Sequence, residues 1–237
     1  MIAPAIAAAW QATWPAADHA QIGGFRVGRG MGGGGRVSAA RAIGPWDAAD
    51  IPAVEGQHAA WDQPPLFSVD DADSALAAAL QAQGYQASDP TLILHCPVER
   101  LAGGAIPPVT AIEAWPPLAI QRVLWAEAGI GPARQAVMER AYAPKAAILG
   151  RIEDRAAGAA FAAVHGPVAM LHALAVLPRW RRKGLGAWMM RRAARFAARH
   201  DAAVLVLAVS EANGAARALY DAAGFERLAR YHYWRKG

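Results

Sequence analysis

The stretch from Val168 to Arg199, VAMLHALAVLPRWRRKGLGAWMMRRAARFAAR, constrains this chain more than any other. An apolar run from Val168 to Val176 ends at Leu177-Pro178. A basic, glycine-containing turn follows from Arg179 to Gly186, and an amphipathic run continues to about Arg199. The pattern predicts strand, turn and helix, with the turn at the helix N-terminus. The first backbone N–H groups of a helix have no partner within it, and the helix dipole adds partial positive charge. A phosphate binds readily at such a place. Gly184 and Gly186 carry no Cβ, so a pyrophosphate can approach the backbone there.

Composition narrows the rest. The 237 residues fit one large domain or two small ones. With 55% hydrophobic and 18% charged residues, a buried core is expected rather than disorder. A single cysteine, Cys96, leaves no internal disulfide framework and suits a reducing, cytoplasmic setting. No segment has the apolar length of a membrane span, and MIAPAIAAAWQATWP reads as an amphipathic helix with Trp10 and Trp14 inward, not as a signal peptide. The net charge is +5, and eight of the 24 Lys and Arg residues fall between Arg179 and Arg199. Clustered charge points to one local anionic ligand more than to a nucleic-acid face. No nucleic-acid motif and no zinc spacing occurs among the seven His and one Cys, so no metal, nucleic acid or membrane is expected as a partner.

In the first half, a strand is expected around Gln21 to Val27, then a loop from Gly28 to Gly35, then a second strand from Arg36 to Ile43. The loop contains G-x-G-x-x-G at Gly28, Gly30 and Gly33. That dinucleotide fingerprint needs a helix directly after the third glycine. Gly34, Gly35 and RVSAARAI follow instead, so a hairpin loop is the reading. Helices are expected over 47–61 and 74–83, and strands over 66–69 and 91–98. Residues 102–109, rich in Gly and Pro, form the candidate linker.

The second half begins with a strand over 110–115, helices over 118–127 and 132–142, and strands over 145–152 and 157–164. The central strand, turn and helix come next. Ala203 to Val209 is a fully apolar strand of parallel type. Asn213 to Ala223 is a helix closed by Gly224, and Phe225 to Arg235 alternates as a closing hairpin.

Two motifs in this order, Arg181-Arg-Lys-Gly184-Leu-Gly186 and Asn213-Gly-Ala-Ala216-Arg-Ala-Leu219-Tyr220-Asp-Ala-Ala-Gly224-Phe225, carry a resemblance. With Val176-Leu-Pro178 before the first, residues 110–237 resemble the GNAT superfamily of acetyl-CoA-dependent N-acyltransferases. The resemblance implies an α/β (α+β) fold: a central mixed, mostly antiparallel sheet with a splayed parallel strand pair, flanked by helices. It implies acetyl-CoA as cofactor and an amine acceptor, a small molecule or a peptide N-terminus, acetylated by direct attack in a ternary complex. Contacts to the cofactor are implied for Leu174, Ala175 and Val176 on the strand, for Arg181, Arg182, Lys183, Gly184, Leu185, Gly186 and Ala187 in the turn, and for Asn213. Val209-Ser210 is expected across the slot. The family often has Gly where this chain has Arg182; only the backbone amide is needed there.

Tyr220 resembles the general acid of the family by position. A phenol near pKa 10 stays protonated at neutral pH and so can serve as proton donor to a departing thiolate, although the thiol near 8.5 is the stronger acid of the two. The base is open. His172 lies four residues before Val176, and alternation places it on the face of Leu174 and Val176. Glu153 and Asp154, at a turn between two strands, are rivals.

An internal repeat is also visible. Ala75 to Tyr85 resembles Ala215 to Phe225 at a constant offset, and each helix follows a strand. Residues 1–105 thus read as a degenerate GNAT-like module, with Leu80 at the tyrosine position, and 106–237 as the catalytic one. The first module is expected to support the sheet and line the acceptor pocket. A non-catalytic acyl-CoA-binding module is the rival reading, and either a monomer or a homodimer fits the sequence.

Overall fold

The computed structural model describes residues 4–142 and 144–237. In chain order the elements are α1 (Pro4–Thr13), β1 (Asp18–Ile22), β2 (Phe25–Arg29), α2 (Gly35–Ser38), β3 (Arg41–Ala42), α3 (Asp50–Ala60), β4 (Phe67–Asp70), α4 (Ser74–Ala82), β5 (Tyr85–Pro97) and α5 (Val98–Ala102). Then follow β6 (Ala111–Ala114), α6 (Ala119–Glu127), α7 (Pro132–Arg140), β7 (Lys145–Ile152), β8 (Arg155–His165) and β9 (Val168–Val176). A single 3₁₀ turn, Pro178–Trp180, leads to α8 (Leu185–Ala198), β10 (Val204–Ser210), α9 (Gly214–Ala222) and β11 (Glu226–Lys236).

Eight strands form one sheet in the order β4-β11-β5-β10-β9-β8-β7-β6, and β1-β2-β3 form a second, small sheet. All pairings in the large sheet are antiparallel except β9 with β10. That parallel pair is joined only from Val204↔Val168 to Leu207↔Leu171. Beyond Leu171 the two strands part, and β10 continues paired only to β5. This is the mixed sheet with a splayed pair that the motifs imply.

Helix α8 covers one face. Its Leu185, Met189, Met190, Ala193, Ala194, Phe196 and Ala197 are buried, a spacing of three and four that gives one apolar stripe. They pack on Ile148, Ala160, Leu171, Leu205 and Leu207, with Phe225 and Tyr220 from the C-terminal end. Each of the larger side chains contributes about 1.5–3 kcal/mol by leaving water. The opposite face is covered by α1, α6 and α7. There Trp10 and Trp14 are buried as the N-terminal pattern predicts, in clusters that include Met170, Val206 and Tyr231 beside Trp10 and Phe161 and Trp125 beside Trp14.

The internal repeat is geometric as well as sequential. Asp73 Oδ1 accepts from Leu76 N at 3.1 Å to cap α4, and 140 positions later Asn213 Oδ1 accepts from Ala216 N at 3.1 Å to cap α9. Gly84 and Gly224, the same distance apart, both close their helices with left-handed φ, 82° and 80°. The strand registers repeat too. Leu207↔Leu94, Ala208↔Ile93, Val209↔Leu92 and Ser210↔Thr91 join β10 to β5. The same offset turns these into Phe67↔Trp234, Ser68↔Tyr233, Val69↔His232 and Asp70↔Tyr231, the four pairs that join β4 to β11. Each strand–helix–strand unit therefore hands its last strand to the other, and β5 and β11 run antiparallel at the centre around Thr91↔Tyr231.

This exchange corrects the C-terminal expectation. Phe225 to Arg235 is not a hairpin but one strand, because its partners β4 and β5 come from the first half of the chain. Two N-terminal expectations change as well. The strand around Gln21 to Val27 is a hairpin turning at Gly23-Gly24. Arg36 to Ile43 holds the end of the short helix α2 and the two-residue strand β3 rather than one strand.

Candidate active site

The site begins where β9 leaves β10. His172 pairs with Phe161, but Ala175 pairs with Ala159, so β9 carries one extra residue there. Ala173 absorbs it with φ 51°. Trp125, fully buried on α6, donates its indole N–H to Ala173 O at 2.9 Å and holds this bulge. The bulge reverses the alternation of the strand. Leu171 before it and Leu174 and Val176 after it all pack on the α8 face.

His172 is thereby turned away from them, and the expectation that it shares the face of Leu174 and Val176 is corrected. Its ring lies among Trp14 and Phe161, with centroids 4.8 and 6.0 Å away. Arg36 Nη1 donates to Nδ1 at 3.0 Å. Nε2 therefore carries the proton and donates to Thr13 Oγ1 at 3.0 Å, which donates to Ala9 O at 2.7 Å. Burial, and then the Arg36 cation, hold the imidazole well below its ordinary pKa. Neither ring nitrogen has a free lone pair, so His172 does not sit as the base that its position in sequence suggests.

Downstream of the bulge, Ala173 to Val176 are only half-buried, whereas Val168 to Leu171 are buried. Leu177 N donates to Ala157 O at 3.0 Å on the β8 side. One residue earlier, the N–H and C=O of Val176 therefore point into the gap, as do those of Leu174. Arg181 Nε reaches back and donates to Val176 O at 3.0 Å. An extended amide chain can pair with what remains, the edge of Leu174, Ala175 and Val176.

The turn completes the cradle. Arg182 and Gly184 both take left-handed φ, 64° and 85°, and Gly184 caps α8. Among the described residues, no carbonyl accepts from the amides of Arg182, Lys183 or Gly184. Leu185, Gly186 and Ala187 open the helix and have no intrahelical acceptor. Six consecutive donors thus converge at the dipole's positive end, and Arg181, Arg182 and Lys183 are exposed around them. These residues fit a pyrophosphate flanked by a further phosphate. The glycines differ in duty. Gly184 supplies the left-handed turn, whereas a Cβ on Gly186 would meet Leu219 Cδ2 at 2.9 Å, so Gly186 lets α9 close on α8.

That contact places Tyr220, the next residue, in the cluster that holds Leu174, Val176 and Val209 from both sides of the gap. Tyr220 is buried, and desolvation pushes its phenol up to about 12. Its hydroxyl has no hydrogen-bond partner among the described residues. Asn213 uses Oδ1 as the helix cap, and its side-chain amide stays exposed. Glu153 lies at the tip of the β7–β8 turn, 2.8 Å from Lys183 Nζ. It therefore joins the phosphate end of the site, not the far end of the gap. Asp154 beside it pairs with Arg151 at 3.1 Å.

One group of residues escaped the sequence reading. On the face opposite α8, Arg36 stacks over Trp10 at 4.8 Å, and Arg41 lies over Trp10 at 5.1 Å and over Tyr231 at 5.2 Å. The glycine loop puts Arg36 there. A Cβ on Gly28, Gly30 or Gly33 would strike Val37 O at 2.2 Å, Ser38 Oγ at 1.9 Å or Val137 Cγ2 at 2.8 Å. The fingerprint-like spacing serves close packing of α2, and the only signal was an arginine directly after six glycines in eight residues.

Residues 113–225 match the model described as the acetyltransferase (GNAT) family. No curated protein matches the chain. A GCN5-related N-acetyltransferase from Kribbella flavida superposes with a TM-score of 0.73 at 21% identity, over 97% of this chain and 93% of that one. A conserved protein of unknown function from Staphylococcus epidermidis does so with 0.67 at 10% identity, over 92% and 93%. A tandem GNAT protein from the clavulanic acid biosynthesis pathway gives 0.61 at 17% identity, over 83% and 74%. Such identities speak for the fold alone. The splayed strands and the amide-lined turn both lie within the residues that match this family model.

Proposed function

We propose that the protein transfers an acetyl group from acetyl-CoA to a primary amine of a small molecule or peptide, by direct attack while both are bound. The observation that carries this reading is the gap after Leu171, which runs from a free strand edge into the amide turn at Arg182 to Ala187. The turn amides hold the pyrophosphate, the exposed Arg and Lys side chains favour the remaining phosphate, and Leu174 to Val176 pair with the pantetheine arm. The amine nitrogen bonds to the acetyl carbon, the C–S bond breaks, and the thiolate takes a proton through the Tyr220 hydroxyl, which regains one from the solvent that received the amine's. A phenol at about 12 remains protonated at neutral pH and is a donor, not a base.

Deprotonation of the amine falls to solvent reaching the gap, since His172 and Glu153 are both engaged. All of these groups lie within residues 106–237. Residues 1–105 serve as a degenerate second module, which lends β4 and β5 to the sheet and covers the far face of the gap. The reading suits a soluble cytoplasmic enzyme.

CoA release with a panel of amines tests the proposal against a binding module without turnover. Tyr220→Phe should lower kcat by about 10²-fold or more while the dissociation constant for CoA holds. Tight CoA binding with no turnover of any amine would favour the binding module.

A further inference from the structure

The arginines on the far face have no counter-ion among the described residues. Among the described residues, no carboxylate lies within ion-pair distance of Arg36, Arg41 or Arg134, although eleven ion pairs occur elsewhere. Arg36 and Arg41 are half-buried, and Nη2 of Arg41 is buried with no hydrogen-bond partner. Arg134 flanks them: its Nε lies 3.7 Å from where a Cβ on Gly34 would stand. Desolvation, and then the Arg36 cation, hold Arg134 below its usual pKa. Packed cations without an anion are costly, and a fold keeps them where a ligand supplies the charge.

Their position is specific. Arg36 is anchored on His172, the last residue of β9 before the bulge. Arg41 rests on Tyr231, whose strand neighbour Thr91 pairs with Ser210 at the end of β10. The pair therefore spans the face opposite α8 from β9 to β11, across the mouth of the gap. It lies about 13 Å back along β9 from Val176 and the phosphate turn. A pantetheine arm running from the turn along Leu174 to Val176 points its thioester toward this cluster. Tyr231 reports the same field. Burial raises its phenol, yet the Arg36 and Arg41 cations bring it below the ordinary value.

We propose that Arg36 and Arg41 form a carboxylate site for the acceptor, so that the amine acetylated here belongs to a molecule that also carries a carboxylate, as an amino acid does. The inference rests on the acetyltransfer reading above. Each guanidinium presents a planar fork that matches a carboxylate, and Trp10 and Tyr231 fix its plane by stacking. The site combines both halves of the chain, with the arginines from the first and Tyr231 from the second.

The test compares each of the twenty L-amino acids with its α-amide as acetyl acceptor, with O-phosphoethanolamine alongside. For the best pair, kcat/KM for the acid should exceed that for the amide by about tenfold or more. In Arg41→Gln the ratio should fall to about one, and in Arg41→Lys it should fall only part of the way. Melting curves of both variants establish that they fold. Amides used as well as acids by the wild type, a ratio that survives both variants, or O-phosphoethanolamine outrunning every amino acid would each overturn the proposal. A second readout needs no turnover: thermal stabilisation of the CoA-saturated protein by N-acetyl-L-amino acids against their amides. If no amine is acetylated, the function proposed above fails. Stabilisation by the acids alone, lost in Arg41→Gln, would still uphold the carboxylate site, and equal stabilisation by both would overturn it.

Discussion

Arg36 Nη1 donates to Nδ1 of His172 at 3.0 Å, tying a glycine-rich loop of the first half of the chain to the central strand of the second. The bond fixes a neutral ring with its proton on Nε2. Burial, then Arg36, keep it neutral well below the pH at which a free imidazole charges. The unfolded chain therefore binds more protons than the native one below about pH 6.5. Stability from this group is full above that pH and declines as the pH falls toward the depressed native value. The slope it adds is at most about 1.4 kcal/mol per pH unit. Denaturant unfolding at pH 7.5 and 5.5 should show a smaller difference for His172→Gln than for the wild type. The acid limb of the kcat/KM profile should persist in that variant, since the ring is not the base.

The two glycines of the turn should separate in their effects. At Gly184 the left-handed φ of 85° is strained for any side chain, so Gly184→Ala should cost about 1–2 kcal/mol and weaken CoA binding. At Gly186 the obstacle is Leu219 Cδ2, and Gly186→Ala should cost about 1–3 kcal/mol through overpacking. Leu219→Ala should relieve part of that cost. A double-mutant cycle read by urea unfolding should therefore show coupling of about 0.5 kcal/mol or more for Gly186 with Leu219, and none for Gly184 with Leu219.

Trp125 holds the bulge at Ala173 through its indole N–H. Trp125→Phe keeps a ring but leaves the carbonyl without that donor, in a fully buried place. It should destabilise the protein by about 2–3 kcal/mol. It should also raise the dissociation constant for CoA, because the free edge at Leu174 to Val176 depends on the strand leaving its neighbour there. Calorimetric titration with CoA at a temperature where the variant is folded checks this.

Much of the central unit could be read from residues alone. An apolar run, a glycine turn and a stripe at positions 185, 189, 190, 193 and 197 dictate strand, turn and helix locally. The bulge was not legible, because alanine does not announce a left-handed φ and its support, Trp125, lies 48 residues away. The face of His172 was misread for that reason alone. Alternation in Phe225 to Arg235 pointed to extended structure but suggested a hairpin, because its true neighbours, Phe67 to Asp70 and Tyr85 to Pro97, lie in the first half of the chain. Arg36 and Arg41 were hidden by the glycines before them, whose spacing suggested either a phosphate loop or slack and instead seats α2.

The strand exchange makes the two halves mutually dependent. β5 lies between β10 and β11, so residues 106–237 alone leave one edge of β10 unpaired and β11 without either neighbour. An open edge bearing Leu205, Leu207 and Val209 invites aggregation. The 106–237 fragment, although it holds the turn, the gap and Tyr220, should therefore be insoluble or lack a cooperative melting transition. Supplying residues 1–105 in trans should restore a soluble complex that binds CoA, since β4 and β5 can be donated without a covalent link. A monomeric 106–237 fragment that melts cooperatively and binds CoA as tightly as the full chain would show that the exchanged strands are dispensable.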